Sequence, residues 1–308
     1  MNILITRHDK IGDFMTMLPV CKVLKERTNH TNHTIVMLVS KVNVNIAQKL
    51  NFIDEVIEYS EDTFTLLKRL SPYKFDVSIS GYIDMNLGFS LFLARIPVRI
   101  APATKIAQIF FNRTIQQRRS KVEKTEWAYN LDLLKKFDDN ILLDFSTPLV
   151  KTDIKREKFI IFHAGFGGSS DGNLTLDEYL SLAKKASQII KVVFCFGPDD
   201  KETQKYIEKN LDFDASIKDD FSSLWDYTVF IASSKLFIST STGPMHLAGL
   251  TNTPTLSFFG RNLFASSKRW ATISDKEYQH NYEIPINYGK EFYDIIENKL
   301  IKIIKGEK

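Results

Sequence analysis

The stretch Ile3-Leu4-Ile5-Thr6-Arg7-His8-Asp9-Lys10-Ile11-Gly12-Asp13 begins with four residues of strand character and runs directly into a polar turn. Apolar residues then recur at helical spacing through Phe14, Met17, Leu18, Cys21 and Leu24. Strand, tight turn and helix start, in that order, open a parallel α/β unit. Ligands of such sheets collect outside the carboxyl ends of the strands, so the turn at 7–13 is a candidate binding loop. Gly12 lets a ligand approach the backbone closely, and Asp13 stands at or beside the helix N-terminus. Asp in that place is most often a capping residue, so this turn alone assigns no chemistry to it.

A second segment, Leu236-Phe237-Ile238-Ser239-Thr240-Ser241-Thr242-Gly243-Pro244-Met245-His246-Leu247-Ala248-Gly249, repeats the order of strand, polar turn and helix start. Pro244 suits the first helical position and Gly243 the turn before it, which leaves the first amides of that helix pointing outward. Such an end attracts anions, phosphate above all. Ser241 and Thr242 add hydroxyl donors, and His246, one turn in, either faces the same anion or packs beneath the loop. A third turn, His163-Ala164-Gly165-Phe166-Gly167-Gly168-Ser169-Ser170, follows another apolar strand. Its glycine amides and two hydroxyls make either a phosphate nest or a flexible loop between domains.

Strands are expected at 3–6, 34–39, 55–59, 75–80 and 98–100, with helical stretches between them, which predicts a parallel, doubly wound sheet. The segment 145–158, with Pro148 and dense charge, interrupts the alternation and is the linker candidate. A second series follows at 159–163, 191–196, 235–239 and 255–259, giving two Rossmann-like halves. The closing helix is expected over roughly 288–304. With 308 residues the chain exceeds what one core usually organises.

The start of the chain lacks the pattern of a secretory signal, and no apolar run approaches the ~18 residues of a membrane span, so a cytoplasmic location is expected. Cys21 and Cys195 fall in different halves and read as core thiols, supporting neither a disulfide framework nor a metal cluster. A net charge of +4 does not imply nucleic acid. Its distribution says more: between Lys105 and Lys124 lie Arg113, Arg118, Arg119 and Lys121, with no acid until Glu123, in a segment that carries Phe110 and Phe111. That stretch is either a solvated face or a surface for a phosphorylated or membrane-anchored acceptor.

Arg-x-Asp-x-Ile-Gly-Asp at 7–13, His163-Ala164-Gly165 after a mid-chain strand, Phe196-Gly197-Pro198 after the next, and Ser241-Thr242-Gly243-Pro244-Met245-His246-Leu247-Ala248 together resemble glycosyltransferase family 9, the family of bacterial lipopolysaccharide heptosyltransferases. Trp127-Ala128-Tyr129-Asn130-Leu131-Asp132-Leu133-Leu134 also looks like the helix that precedes the domain boundary there. The resemblance covers most of the chain in order and spacing. It implies the GT-B architecture: two Rossmann-like domains facing across a cleft, an acceptor-binding domain at 1–152 and a nucleotide-sugar-binding domain at 153–308, whose last helix packs back on the first.

The reaction so implied is inverting, metal-independent transfer of a heptose or related sugar from an ADP-sugar to a lipopolysaccharide or lipooligosaccharide core. The nucleotide sugar and a lipid-linked oligosaccharide are the partners, with neither cofactor, metal nor nucleic acid. The protein is expected to be a monomer with peripheral contact on the inner face of the cytoplasmic membrane. Transfer to a hydroxyl needs a base and a means of stabilising the departing diphosphate. Asp13 is the expected base, and the lack of a second carboxylate placed as nucleophile favours inversion, by analogy with glycoside hydrolysis. Donor binding is expected from Gly12, His163, Gly165, Gly167, Gly168, Ser169, Glu202, Ser241, Thr242, Gly243, Pro244, Met245 and His246. Acceptor binding is expected from Lys10, Arg113, Arg118, Arg119 and Lys121. Asp199-Asp200, after Gly197-Pro198, reads as a turn more than as a metal-binding pair.

Two positions depart from the family pattern. Ser241 stands where an Asp is usual, and Gly172-Asn173-Leu174 stands where a Lys and a Trp are usual. The second departure removes a cation that would neutralise diphosphate; Lys10, Arg261, Lys268 and Arg269 are candidates to replace it. These departures motivate an alternative, a non-catalytic nucleotide- or glycan-binding relative. A Rossmann dehydrogenase is a weaker reading, because neither half carries Gly-x-Gly-x-x-Gly between its first strand and helix.

Overall fold

The computed structural model describes residues 1–27, 33–165 and 172–307. The chain divides into two compact units, Met1–Leu149 and Val150–Lys308, and the division falls inside the stretch expected as a linker. Each unit is built on its own six-stranded sheet.

The first sheet comprises β1 (Asn2–Arg7), β2 (Thr34–Val39), β3 (Glu55–Glu58), β4 (Val77–Ser80), β5 (Val98–Pro102) and β6 (Arg113–Ile115). They lie in the order β3-β2-β1-β4-β5-β6, every neighbouring pair parallel. The second comprises β7 (Phe159–His163), β8 (Lys191–Cys195), β9 (Ser216–Lys218), β10 (Leu236–Thr240), β11 (Thr255–Phe259) and β12 (Gln279–Glu283). Their order is β12-β11-β10-β7-β8-β9, again all parallel. Both sheets therefore have the doubly wound order, with a central seam from which the strands run outward in both directions.

Sequence explains which strands are central. β1, β7 and β10 are almost wholly buried and read as continuous apolar runs ending in one or two polar residues, as strands covered on both faces should. In the first core, Leu4, Val36, Leu38 and Ile57 of the sheet meet Leu66, Leu70, Leu87 and Leu91 of helices Thr63–Leu70 and Met85–Leu93. In the second, Phe162, Phe194 and Phe258 pack with Tyr179 of helix Leu176–Ser187.

The closing helix is Lys290–Lys305. Its buried residues Ile296, Leu300 and Ile304 belong to the core of the second unit. Lys235 Nζ donates to the carbonyl of Ile304, fixing the end of the helix to the start of β10. Cys21 and Cys195 are both buried free thiols, one in each unit.

Candidate active site

In each sheet the strand order reverses at one seam, between β1 and β4 in the first and between β7 and β10 in the second. Ligands of open α/β sheets bind outside the carboxyl ends of the strands at such a seam. Thr6 pairs with Ser80 across the first seam and His163 with Ser239 across the second. The turns singled out in the sequence therefore stand at the two places where this topology puts a site.

At the first seam a buried arginine organises the turn. Arg7 Nε donates to Asp9 Oδ1 at 2.8 Å, Nη1 to the carbonyl of Gly81 at 3.1 Å, and Nη2 to Asp13 Oδ1. Gly81 makes the path for this side chain, because a Cβ there would stand 3.2 Å from Arg7 Cδ and 2.8 Å from Met17 Sδ. Asp13 lies inside the first turn of helix Ile11–Arg27, and its carboxylate is engaged by Arg7. Its backbone carbonyl accepts from Thr16 Oγ1 at 2.6 Å. The Asp13 side chain is 19% exposed, and Oδ2 has no protein donor among the described residues. Burial pushes the Asp13 carboxyl above the ordinary carboxylate range; the Arg7 guanidinium pulls it down, and Asp9 and Glu126 add to the upward push.

A second arginine extends this network. Arg119 Nη1 donates to Glu126 Oε1, which also lies 4.0 Å from Arg7 Nη1. Arg119 Nη2 also reaches Asn130 Oδ1 at 3.1 Å, and Asn130 Nδ2 donates to Thr16 Oγ1 at 2.9 Å. Glu126 and Asn130 lie on helix Glu126–Asp132, started by the Thr125 cap. Two cations and three carboxylates thus share a nearly dry space, where removing one partner leaves a buried charge uncompensated.

Beside it, His8 Nε2 meets Asp84 Oδ2 at 2.6 Å, and its ring stacks on Tyr59 with centroids 3.9 Å apart. Asp84 caps helix Met85–Leu93 by accepting from the Leu87 amide at 2.8 Å. Burial would raise the Asp84 carboxyl, but hydrogen bonds from His8 and the Leu87 amide outweigh it and leave it below the ordinary range.

At the second seam, His163 is buried at the end of β7, with Nδ1 3.0 Å from the carbonyl of Cys195 and Nε2 3.8 Å from Asp200 Oδ2. Burial lowers its affinity for a proton, with Asp200 opposing, so the imidazole is held toward the neutral form. Asp200 Oδ2 accepts from the Gly197 amide at 2.8 Å, closing the turn after β8. A Cβ on Gly165 would stand 2.2 Å from Asp200 Oδ1, so a larger residue there would displace the Asp200 carboxylate. Across the seam, helix Gly243–Leu250 begins with Pro244 in its first turn and Thr242 as N-cap. The Thr242 side chain makes no capping hydrogen bond to its amides, and such a helix end attracts an anion. His246 is buried within this helix, its Nδ1 has no partner among the described residues, and burial lowers its pKa to about 4. Thr240 Oγ1 donates to the carbonyl of Gly172 at 2.6 Å, pinning the chain that follows the glycine-rich turn onto the end of β10.

No family model matches the sequence. A Haemophilus influenzae (strain Rd) protein described as "Putative glycosyltransferase" is 32% identical over 306 residues, spanning 89% of this chain and 86% of that one. The chain belongs to the glycosyltransferases. Solved structures agree in fold over nearly the whole length. The Escherichia coli ADP-heptose LPS heptosyltransferase II superposes with a TM-score of 0.79 at 15% identity, covering 99% of each chain. A family 9 glycosyltransferase from Veillonella parvula gives 0.80 at 14% identity, covering 99% of this chain and 96% of that one. E. coli heptosyltransferase WaaC, solved with ADP, gives 0.75 at 14% identity, covering 98% and 100%. The two doubly wound sheets are those of the GT-B architecture.

Within this glycosyltransferase, the expected site residues divide. Gly12, Asp13, His163, Gly165 and the Ser241–His246 turn stand at the seams. Gly167, Gly168 and Ser169 lie outside the described residues. Glu202 is exposed on helix Lys201–Asn210 and paired with Lys205 at 2.8 Å, and Asp200 is the acid beside His163. Arg119 is likewise not an open cation but part of the network behind Asp13. Lys10, Arg118 and Lys121 are exposed. Arg113 sits on the edge strand β6, on the wall of a depression of about 580 Å³ shared with Lys135 and Lys136. Gly81, Asp84, Glu126 and Asn130 were not singled out from sequence, although Gly81 directly follows β4, the seam partner of β1.

Proposed function

We propose that this glycosyltransferase moves a heptose, or a related sugar, from an ADP-activated donor to a hydroxyl of a lipid-linked lipopolysaccharide or lipooligosaccharide core, with inversion and without a metal. One arrangement carries the assignment: Asp13 at the first seam, its Oδ1 held by buried Arg7 and its basicity raised by burial. The acceptor hydroxyl gives its proton to Asp13 Oδ2 while its oxygen attacks the anomeric carbon on the face opposite the leaving group. The bond from that carbon to the diphosphate breaks, and the nucleoside diphosphate departs. A positioned base of this kind is typically worth ~100- to 10,000-fold.

The diphosphate is assigned to the amides of helix Gly243–Leu250, whose fixed dipoles stabilise its growing charge in place of a cation. An ADP-heptose donor is supported by the likeness to heptosyltransferases, one solved with ADP. The site of action proposed is the inner face of the cytoplasmic membrane; no helix among the described residues is long and apolar enough to cross it.

The test is transfer by the purified protein from ADP-heptose to core glycan isolated from cells lacking it, read by mass and by the configuration of the new linkage. A product heavier by one heptose, of inverted configuration and formed equally in EDTA, is expected. A retained configuration or dependence on a divalent cation would overturn the mechanism, and no transfer from ADP-heptose would overturn the donor.

A further inference from the structure

Helix Met85–Leu93, Met-Asn-Leu-Gly-Phe-Ser-Leu-Phe-Leu, carries no charged side chain and is apolar on two faces. Leu87 and Leu91 are buried in the first core. Met85, Phe89, Phe92 and Leu93, at spacing i, i+4, i+7 and i+8, share another face and stay exposed, Phe92 by 51%. The 3-10 segment Ile106–Phe110 packs along this helix, with the Phe110 ring 5.7 Å from Phe89 and 6.1 Å from Phe92. Gly88 makes room for it, since a Cβ there would stand 2.9 Å from the Phe110 ring. Ile106 and Ile109 on the same segment are 78% and 69% exposed. Single exposed leucines are ordinary, but six large apolar side chains on two touching elements mark an interaction surface.

Charge says what kind. Residues 85–122 contain no Asp or Glu and seven Lys or Arg. Arg99 lies over the Phe92 ring at 5.6 Å and Lys105 over the Tyr82 ring at 3.8 Å, while Arg95 stands just beyond the helix. Apolar side chains flanked by Arg95, Arg99 and Lys105 match the boundary of an anionic bilayer, where the side chains enter the acyl region and the cations meet lipid phosphates.

We infer that this face of the first domain docks on an anionic lipid surface. Docking deepens the functional reading above, in which the acceptor is lipid-linked, and it is tested with neither substrate present so that either reading can fail alone. The full chain is sedimented with vesicles of phosphatidylglycerol and phosphatidylcholine, and with vesicles of phosphatidylcholine only. Binding to the anionic vesicles that weakens with salt is expected. Combining Phe92→Ser, Ile106→Ser and Ile109→Ser should lower partitioning at least about tenfold with an unchanged melting curve, and Arg95→Gln with Lys105→Gln about fivefold per cation. Phe92→Trp, a milder change, adds a fluorophore whose emission, taken as the difference from the wild-type spectrum, should shift to the blue on the anionic vesicles. Absence of wild-type binding, equal binding by the triple serine variant, or an unshifted difference emission from Phe92→Trp would overturn the inference. So would a dimer in solution that the triple variant converts to monomer, which would assign the face to a second copy of the chain.

Discussion

The carboxylate of Asp13 is held by the guanidinium of Arg7, six residues earlier, and not by the amides of its own helix. An Asp near a helix start is ordinarily a cap; here it is one branch of a fork whose others end on Asp9 and the carbonyl of Gly81. That geometry sets the expectations for variants of the pair.

Asp13→Asn keeps an oxygen for Arg7 but cannot take a proton. We expect kcat to fall by about 100-fold or more with donor affinity nearly unchanged. Steady-state kinetics decide it: more than about a tenth of wild-type turnover would remove Asp13 from the role of base.

Arg7→Met removes the cation that pulls the Asp13 carboxyl down. The base works when ionised, so activity rises with pH through the Asp13 pKa; without Arg7 that pKa climbs further, and the acid limb of kcat/KM moves to higher pH by about one unit or more. Arg7→Lys, which keeps the charge but not the fork, should move the limb less. A limb that stays in place in both would dissociate Arg7 from the titration.

Arg118 and Arg119 are neighbours with different environments. Arg119→Ala strips Glu126 of its close partner in a buried network and should cost ~3 kcal/mol of stability and lower kcat. Arg118→Ala, at an exposed position, should leave the melting temperature unchanged and raise only the acceptor KM. Equal melting temperatures for the two variants would contradict the network.

Gly172→Ala would place a Cβ 2.2 Å from the carbonyl oxygen of Phe259 and 2.4 Å from the Gly260 nitrogen, backbone atoms that no rotamer change can move aside. Overpacking of this kind costs ~1–3 kcal/mol, or a fall of about 2–12 °C for a domain of this size. Calorimetry that finds no change would displace this segment from the end of β11.

ADP at ~100 times its Kd should stabilise the folded protein by roughly 2.7 kcal/mol and raise its melting temperature, equally with and without EDTA. UDP, GDP and CMP should do less. A larger shift with UDP or GDP would keep the fold and replace the donor, whereas no shift with any of them at millimolar concentration would favour a protein that has lost its donor site.

The parts of the fold that sequence made legible are those governed by burial. Central strands such as 3–6, 159–163 and 236–240 must be apolar because helices cover both faces. The strands that escaped, Arg113–Ile115, Ser216–Lys218 and Gln279–Glu283, are edges, where one side lacks a neighbour and Arg, Lys, Gln and Glu are tolerated. The site divides in the same way. Asp13 and the turn at 241–246 announce themselves by local turn chemistry, whereas Gly81 and Asp84 reach the first seam from a strand more than seventy residues away. Arg119 shows the limit of composition: seen as one of a run of cations it reads as surface, and only the fold brings Glu126 and Asn130 to it.

Each sheet closes within its own stretch of chain, and every strand pair joins partners from the same half. For the order of events during synthesis this matters, since a domain generally folds as a unit once its residues are available. Residues 1–149 hold all the pairing partners of their sheet and the whole Arg7, Asp13 and Glu126 network. The half that would carry the base can reach its native arrangement on the ribosome while the second half is still being made.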